Sequence, residues 1–304
     1  MAAPIVAIVG ATASGKTSLS LDLAEALGGE IVNTDAMQLY RGMDVGTAKL
    51  PPDERRGIPH HLLDLLDVTQ PSTVAEFQAM ARDEIARMRA AGTTPVLVGG
   101  SALYTRAVVD RFEFPGTDAG VRARLEAELA ELGPEAMHAR LAELDPEAAS
   151  RILVENGRRT VRALEVIELT GRPFTASLPV MEYADPATIQ IGVDIDRPEL
   201  AARIEQRVDA MFDAGFVDEV TRLLDQGLLE GRTASMAIGY REVAAAIAGE
   251  MTAEEARERT ILSTRRFARR QDAWFRKDPR IVWVRHDDPE RVAKALDAVR
   301  TLSP

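Results

Sequence analysis

A chain of 304 residues, 46% of them hydrophobic, can bury a substantial core as one large domain or two unequal ones. It has no cysteine, which excludes disulfides, thiolate metal centres and a cysteine nucleophile, and it leaves four histidines for any metal chemistry. The net charge of −11 argues against a polyanion spread over the whole surface, yet Arg257 to Arg285 holds ten basic residues against three acidic ones, so one segment can still face nucleic acid.

The N-terminal stretch MAAPIVAIVG lacks a basic flank, and no apolar run approaches the roughly 18 residues of a membrane span, so an untargeted, cytoplasmic protein is expected. Residues 5–9 form a continuous Ile/Val run ending at Gly10, and Leu19, Leu23 and Leu27 follow at helical spacing, which predicts strand, glycine turn and helix. Further β-type runs lie at 30–35, 94–100, 188–195 and 280–286. Helices are predicted at 74–91, 101–109, 197–213, 215–226, 240–248, 253–276 and 289–301. Strands alternating with helices predict an α/β fold with a parallel sheet. Residues 112–186 show only short helical stretches punctuated by Gly and Pro and read as a helical insertion, so the core is expected from 1–111 plus 187–304. Residues 46–61 read as a mobile or substrate-facing loop, and His60 and His61 within it as structural or substrate-loop residues rather than zinc ligands.

The first turn carries Gly10, Ala11, Thr12, Ala13, Ser14, Gly15, Lys16 and Thr17, the pattern G-x-x-x-x-G-K-[ST]. By average residue usage this pattern arises by chance in roughly one chain in a hundred of this length. Here it sits between a strand and a helix, so backbone N–H groups and Lys16 can cradle a phosphate while the Thr17 hydroxyl holds Mg²⁺. No guanine-reading N-K-x-D is present, nor an apolar strand ending in paired acids. Asp35 closes the second β run, where open α/β sheets place their chemistry, and it can hold magnesium, act as a general base or merely cap a turn.

The segments GATASGKT, VNTDAMQLYRGMDVGTAK, VGGSALY, RRTVRALEV, RIEQRVDAMFDAGFVDEV, IGYRE and TRRFARRQDAWFR occur in this order, and over about residues 5–285 the chain resembles the tRNA dimethylallyltransferases. The resemblance implies a phosphate-loop NTPase-like core whose loop, residues 10–17, holds the diphosphate of dimethylallyl diphosphate. It implies Lys16, Thr17 with Mg²⁺, and Arg207 as the groups that stabilise the leaving diphosphate, and Asp35 as the general base for the exocyclic amine of the adenine 3′ of the anticodon. A tRNA anticodon stem-loop is the implied partner, contacted by Asp35, Ala36, Met37 and Gln38, by Ser101 and Arg122, and by Arg158, Arg159, Thr160, Val161 and Arg162. Relatives often have Ser at position 36, Thr at 101 and Gln at 158, so here a hydroxyl is lost, a hydroxyl is kept and a charge replaces an amide. In RRFARRQDAWFRK the arginines are expected to meet phosphates in part, and Phe267, Trp274 and Phe275 to be core. A monomer is expected. The alternatives are prenylation of free adenosine nucleotides, a small-molecule ATP-dependent kinase, and a non-catalytic RNA-binding module.

Overall fold

The computed structural model describes residues 3–112, 114–177 and 181–302. In chain order the elements are β1 (Ile5–Val9), α1 (Lys16–Leu27), β2 (Gly29–Asn33), β3 (His60–His61), α2 (Val74–Ala90), β4 (Thr94–Val98), α3 (Ala102–Val109), α4 (Ala119–Leu144), α5 (Pro146–Arg151) and α6 (Gly157–Thr170). There follow β5 (Thr188–Asp194), α7 (Arg197–Asp213), α8 (Phe216–Asp225), α9 (Tyr240–Ile247), α10 (Ala253–Phe275), β6 (Ile281–Arg285) and α11 (Arg291–Arg300). Met1–Val109 with Asp185–Pro304 forms one compact unit and Asp110–Ala184 another.

In the first unit six strands pair in the order β3-β2-β4-β1-β5-β6, and every pairing is parallel. A parallel sheet is covered on both faces, which is why its strands are near-continuous apolar runs rather than alternating ones. β1 is buried at each position, and Val6, Ile8, Ile31, Val96 and Ile191 join Leu19 and Leu23 of α1 and Ala295 and Val299 of α11 in one core cluster. Gly192 is required where β5 passes under Trp283, since a Cβ there would lie 2.6 Å from the indole.

β2 ends at Asn33, two residues before the predicted strand end. The side chain of Asn33 accepts from the Asp35 amide at 2.8 Å and donates to the carbonyl of Leu62 at 2.9 Å. This turn replaces the next rung of the ladder and delivers Asp35 to the carboxyl edge of the sheet. β3 escaped the sequence reading because two histidines carry no apolar pattern. His61 bridges Glu30 at 2.7 Å and Glu84 at 2.9 Å, a structural role of the kind expected.

The loop expected to be mobile or substrate-facing is tethered at its start, and its Gly46 and Thr47 line a cavity. The Lys49 ammonium, with only 4% of its side chain exposed, binds the Tyr40 carbonyl at 2.9 Å and the carboxylates of Asp44 and Asp64 at 2.6 Å each. Glu219 on α8 accepts from the amides of Asp44, Val45 and Gly46 at 3.0, 2.7 and 3.1 Å, and from the Tyr240 hydroxyl at 2.7 Å. Gly46 must be glycine, because a Cβ would fall 2.2 Å from the Phe216 ring.

In the second unit α4 breaks at Gly133, whose φ is 81°, just before Pro134. Leu125, Met137, Leu141, Val161 and Leu164 close a small core among α4, α5 and α6. This unit has its own apolar interior.

Glu219 is 1% exposed and answers four donors, so removing the carboxylate strands buried N–H groups. Glu219→Ala is expected to lower unfolding free energy by about 3 kcal/mol in urea titration, whereas a loss below about 1 kcal/mol would show the turn to be held by its packing alone.

Candidate active site

Gly10, Ala13 and Gly15 adopt positive φ of 141°, 63° and 97°, which curls the loop around its own amides. Gly10 has no room for a side chain, since a Cβ would meet the Val193 carbonyl at 3.1 Å. α1 starts at Lys16 with no side-chain cap, and the amides of Gly15, Lys16 and Thr17 have no acceptor among the described residues. Uncapped amides at a helix start attract an anion through both their hydrogens and the helix dipole. The Ser14 hydroxyl is buried and equally without a partner. Not every amide is free: that of Thr12 donates to Oε1 of Gln271 at 2.8 Å and that of Ser14 to the Ala11 carbonyl at 3.3 Å.

Three charges meet beside this loop. Arg207 reaches from α7 to the Thr12 hydroxyl at 3.3 Å. Lys16 folds back so that its ammonium donates to the Ala11 carbonyl at 2.6 Å. Burial first, then repulsion from Arg207, bring the Lys16 pKa down to about 7, while Asp35 pulls the other way. Burial also raises the pKa of Asp35, against the Met37 amide, which donates to its Oδ1 at 2.9 Å, and the Lys16 charge. An incoming anion would restore what these cations lack.

Gln271 joins the parts. Its Nε2 donates to the Gly100 carbonyl at 2.8 Å while its Oε1 holds the Thr12 amide, and a Cβ at Gly100 would lie 2.2 Å from that Nε2. Thr12, Asp35, Ser101, Arg207 and Gln271 line one cavity of about 860 Å³ whose remaining wall includes Met37, Met211 and Phe267. The arrangement offers anion-binding donors, a carboxylate able to take a proton, and an apolar wall for hydrocarbon.

The sequence model of the IPP transferase family matches residues 38–278. A Nocardioides protein named tRNA dimethylallyltransferase is 74% identical over 296 residues, covering 97% of this chain and 96% of its own length. The chain belongs to the IPP transferase family. A Streptomyces coelicolor relative of the same name is 62% identical over 280 residues, which cover 92% of this chain and 89% of that protein. The crystal structure of the full-length tRNA isopentenylpyrophosphate transferase of Bacillus halodurans aligns with a TM-score of 0.71 at 38% identity, covering 99% of this chain and 95% of that one.

The residues that resemblance to this family singles out fall in two places. Gly10 to Thr17, Asp35, Ala36, Met37, Ser101 and Arg207 gather at the cavity or the loop beside it, and Gln38 donates to the Thr47 carbonyl at 3.1 Å. Arg122, Arg158, Arg159, Thr160, Val161 and Arg162 lie in the second unit. There Arg122 and Arg162 both bind the fully buried carboxylate of Glu165, Arg162 at 2.7 Å, and lower its pKa against the cost of burial. Arg158 and Arg159 are exposed and carry no ion pair among the described residues. Thr160 and Val161 of the same stretch are buried, at 0% and 1% exposed.

A correction concerns α10. Phe275 is core as predicted, but Phe267 and Trp274 line the cavity, and Trp274 is 45% exposed. Helical spacing reports which face a residue is on, not whether another element covers that face. The arginines sort in the same way. Arg257 pairs with Asp209, Arg265 with Glu205 and Arg276 with Asp194, which fasten α10 and its end to α7 and β5. Arg259, Arg266 and Arg269 share an exposed stripe; none forms a close ion pair among the described residues, although Arg259 lies within electrostatic reach of Glu255. Gln271 and Glu219 were not anticipated; the paired glycines 99–100 and the run DVG at 44–46 were the traces they left in the sequence.

Sulfate, which does not titrate near neutrality, should bind this loop with proton uptake. Free Lys16 loses its charge as pH rises through about 7, and a bound anion favours the charged form, so affinity should fall above that pH by up to about tenfold per unit. Calorimetry in buffers of different ionisation enthalpy checks this, and a profile as flat as that of Lys16→Met would refute it.

Proposed function

We propose that the chain transfers a dimethylallyl group from dimethylallyl diphosphate to the exocyclic amine of the adenine immediately 3′ of the anticodon in tRNA, releasing diphosphate. The observation that carries this reading is the shared cavity: Asp35 and Arg207 face the same space, beside the uncapped amides of the loop. A kinase loop serves a phosphoryl group in flight. Here the same donors would steady a departing diphosphate, with the carboxylate opposite them for the nucleophile. The relatives' name, tRNA dimethylallyltransferase, supplies the substrates.

An adenine amine is a weak nucleophile because its lone pair is delocalised into the ring. Asp35 orients it and accepts its proton as the new C–N bond forms, while the allylic C–O bond breaks and its electron pair leaves on the diphosphate. Raised by burial, the Asp35 carboxylate is a better base than one in water. Lys16, Arg207 and the free amides take the developing charge. The apolar wall receives the hydrocarbon and keeps water from the allylic carbon.

Magnesium fits this donor set. Among the described residues no cluster of three or more His, Asp or Glu side chains could hold an ion by itself, and Mg²⁺ needs only one or two protein oxygens beside phosphate and water. The exposed Thr17 hydroxyl, which makes no hydrogen bond to another described residue, is the protein oxygen that would serve, and the ion would add charge to the leaving group. Adenine must leave its stack to enter a cavity, and Trp274 and Phe267 at the wall offer faces for it. The exposed arginine stripe of α10 supplies cations for the RNA backbone. A cytoplasmic monomer is the reading that goes with a cysteine-free chain; among the described residues no helix is long and apolar enough to cross a membrane.

Incubation with Mg²⁺, unmodified tRNA and labelled dimethylallyl diphosphate should put label on that adenine, and label on AMP in preference to tRNA would favour the free-nucleotide reading. Asp35→Asn is expected to cut turnover by about 10²–10⁴-fold while leaving tRNA affinity intact and the thermal midpoint unlowered. The sign of the last effect follows from the raised pKa: the folded protein carries the ionised carboxylate at a cost, which the amide removes. Replacing Arg259, Arg266 and Arg269 together by Gln should flatten the salt dependence of tRNA binding by about two units of slope, with the KM for the donor unchanged.

A further inference from the structure

Arg207 is not the only guanidinium that α7 brings to the loop. One turn earlier, about 6 Å along the helix axis, Arg203 approaches Gly15: a Cβ built there would lie 3.9 Å from its Nη1. Leu200 and Ile204 of the same helix pack against Ala11 and Ala13, so α7 is seated on the loop and its arginines are carried to it by the core.

Arg203 is held in place by a small polar assembly. Its Nη2 donates to Nδ1 of His286 at 3.0 Å and forms an ion pair with Oε1 of Glu199 at 3.0 Å. A guanidinium has no acceptor, so His286 must accept at Nδ1 and carry its proton on Nε2, which donates to Oε2 of Glu199 at 2.9 Å. His286 is itself 5% exposed, its amide donating to the Asp194 carbonyl at 2.9 Å and its carbonyl accepting from Arg291 at 2.5 Å. Both partners therefore spend themselves on one nitrogen of Arg203. Nη1, the nitrogen nearest Gly15, has no acceptor among the described residues.

We infer that Arg203 is a second diphosphate-binding cation, set beside Gly15 by Glu199 and His286, and that it grips the phosphoryl group held at the start of α1 while Arg207 serves the one nearer Thr12. The inference rests on the proposed function for the identity of the anion. A solvated arginine on a helix needs no buried histidine to orient it, whereas a fork that must meet an anion does, because fixing it beforehand removes the entropy cost of ordering it on binding. Glu199 and His286 are positioning residues in this scheme, acting through Arg203.

Inorganic diphosphate binding, followed by calorimetry on the whole chain, separates the possibilities. Arg203→Gln should weaken its Kd by about tenfold or more, raise the KM for dimethylallyl diphosphate and leave tRNA affinity unchanged, and Arg203→Lys should recover part of the loss. His286→Asn should lower diphosphate affinity in the same direction but by less, with an unaltered thermal midpoint in the absence of anion for Arg203→Gln showing that the fold is intact. Diphosphate binding by Arg203→Gln within about twofold of the unsubstituted chain would overturn the inference while leaving the proposed function standing. Tight diphosphate binding that depends on Arg203, in a chain that transfers no label to tRNA, would uphold the inference and overturn that function. An unsubstituted chain that binds no diphosphate would overturn both.

Discussion

The like charges of Lys16 and Arg207 act on each other beside the loop, where burial already disfavours the charged ammonium. Desolvation and like charge leave Lys16 near the end of its charged range, and Asp35 offsets only part of the deficit while bearing a desolvation cost of its own. Such a site is unfavourable by itself and becomes favourable when an anion arrives. It is carried on an all-parallel sheet with a continuous apolar core, and the Glu219 and Lys49 anchors fix the neighbouring turn.

The strongest signals in the sequence were those with a local cause. A strand run, a glycine turn and a helix start are each dictated by a few neighbouring residues, so β1, the loop and α1 were legible, and the same is true of the insertion, where strand patterns stop. Asp35 was legible as an edge residue because a β run led to it. Its delivery by an Asn33 turn was not, since the competing hydrogen bond is with Leu62, far along the chain. β3 is two histidines that become a strand only because β2 offers an edge. Gln271 and Glu219 bond across more than 170 residues to backbone amides, an arrangement that leaves no periodicity to detect.

Family resemblance supplied what periodicity could not for Arg207, an arginine on an ordinary amphipathic helix. It was a poorer guide to side-chain exposure. Thr160 and Val161 sit within a matching stretch whose Arg158 and Arg159 face outward, yet their own side chains are buried. Trp274 and Phe267 erred in the opposite sense. Their seven-residue spacing marks a shared face of α10, and that face lines a cavity instead of a core.

Gln271 gives α10 a mechanical duty beyond carrying charge. The helix shows arginines to the outside, and through this one amide it holds both the Thr12 N–H of the loop and the Gly100 carbonyl just past β4. A displacement of α10 must therefore stretch those bonds or move the loop with it. By thermodynamic reciprocity, whatever a ligand on the outer face does to the loop, a ligand in the loop does to the outer face by the same factor. Gln271 thus ties the position of α10 to that of the loop through one uncharged side chain at the cavity wall.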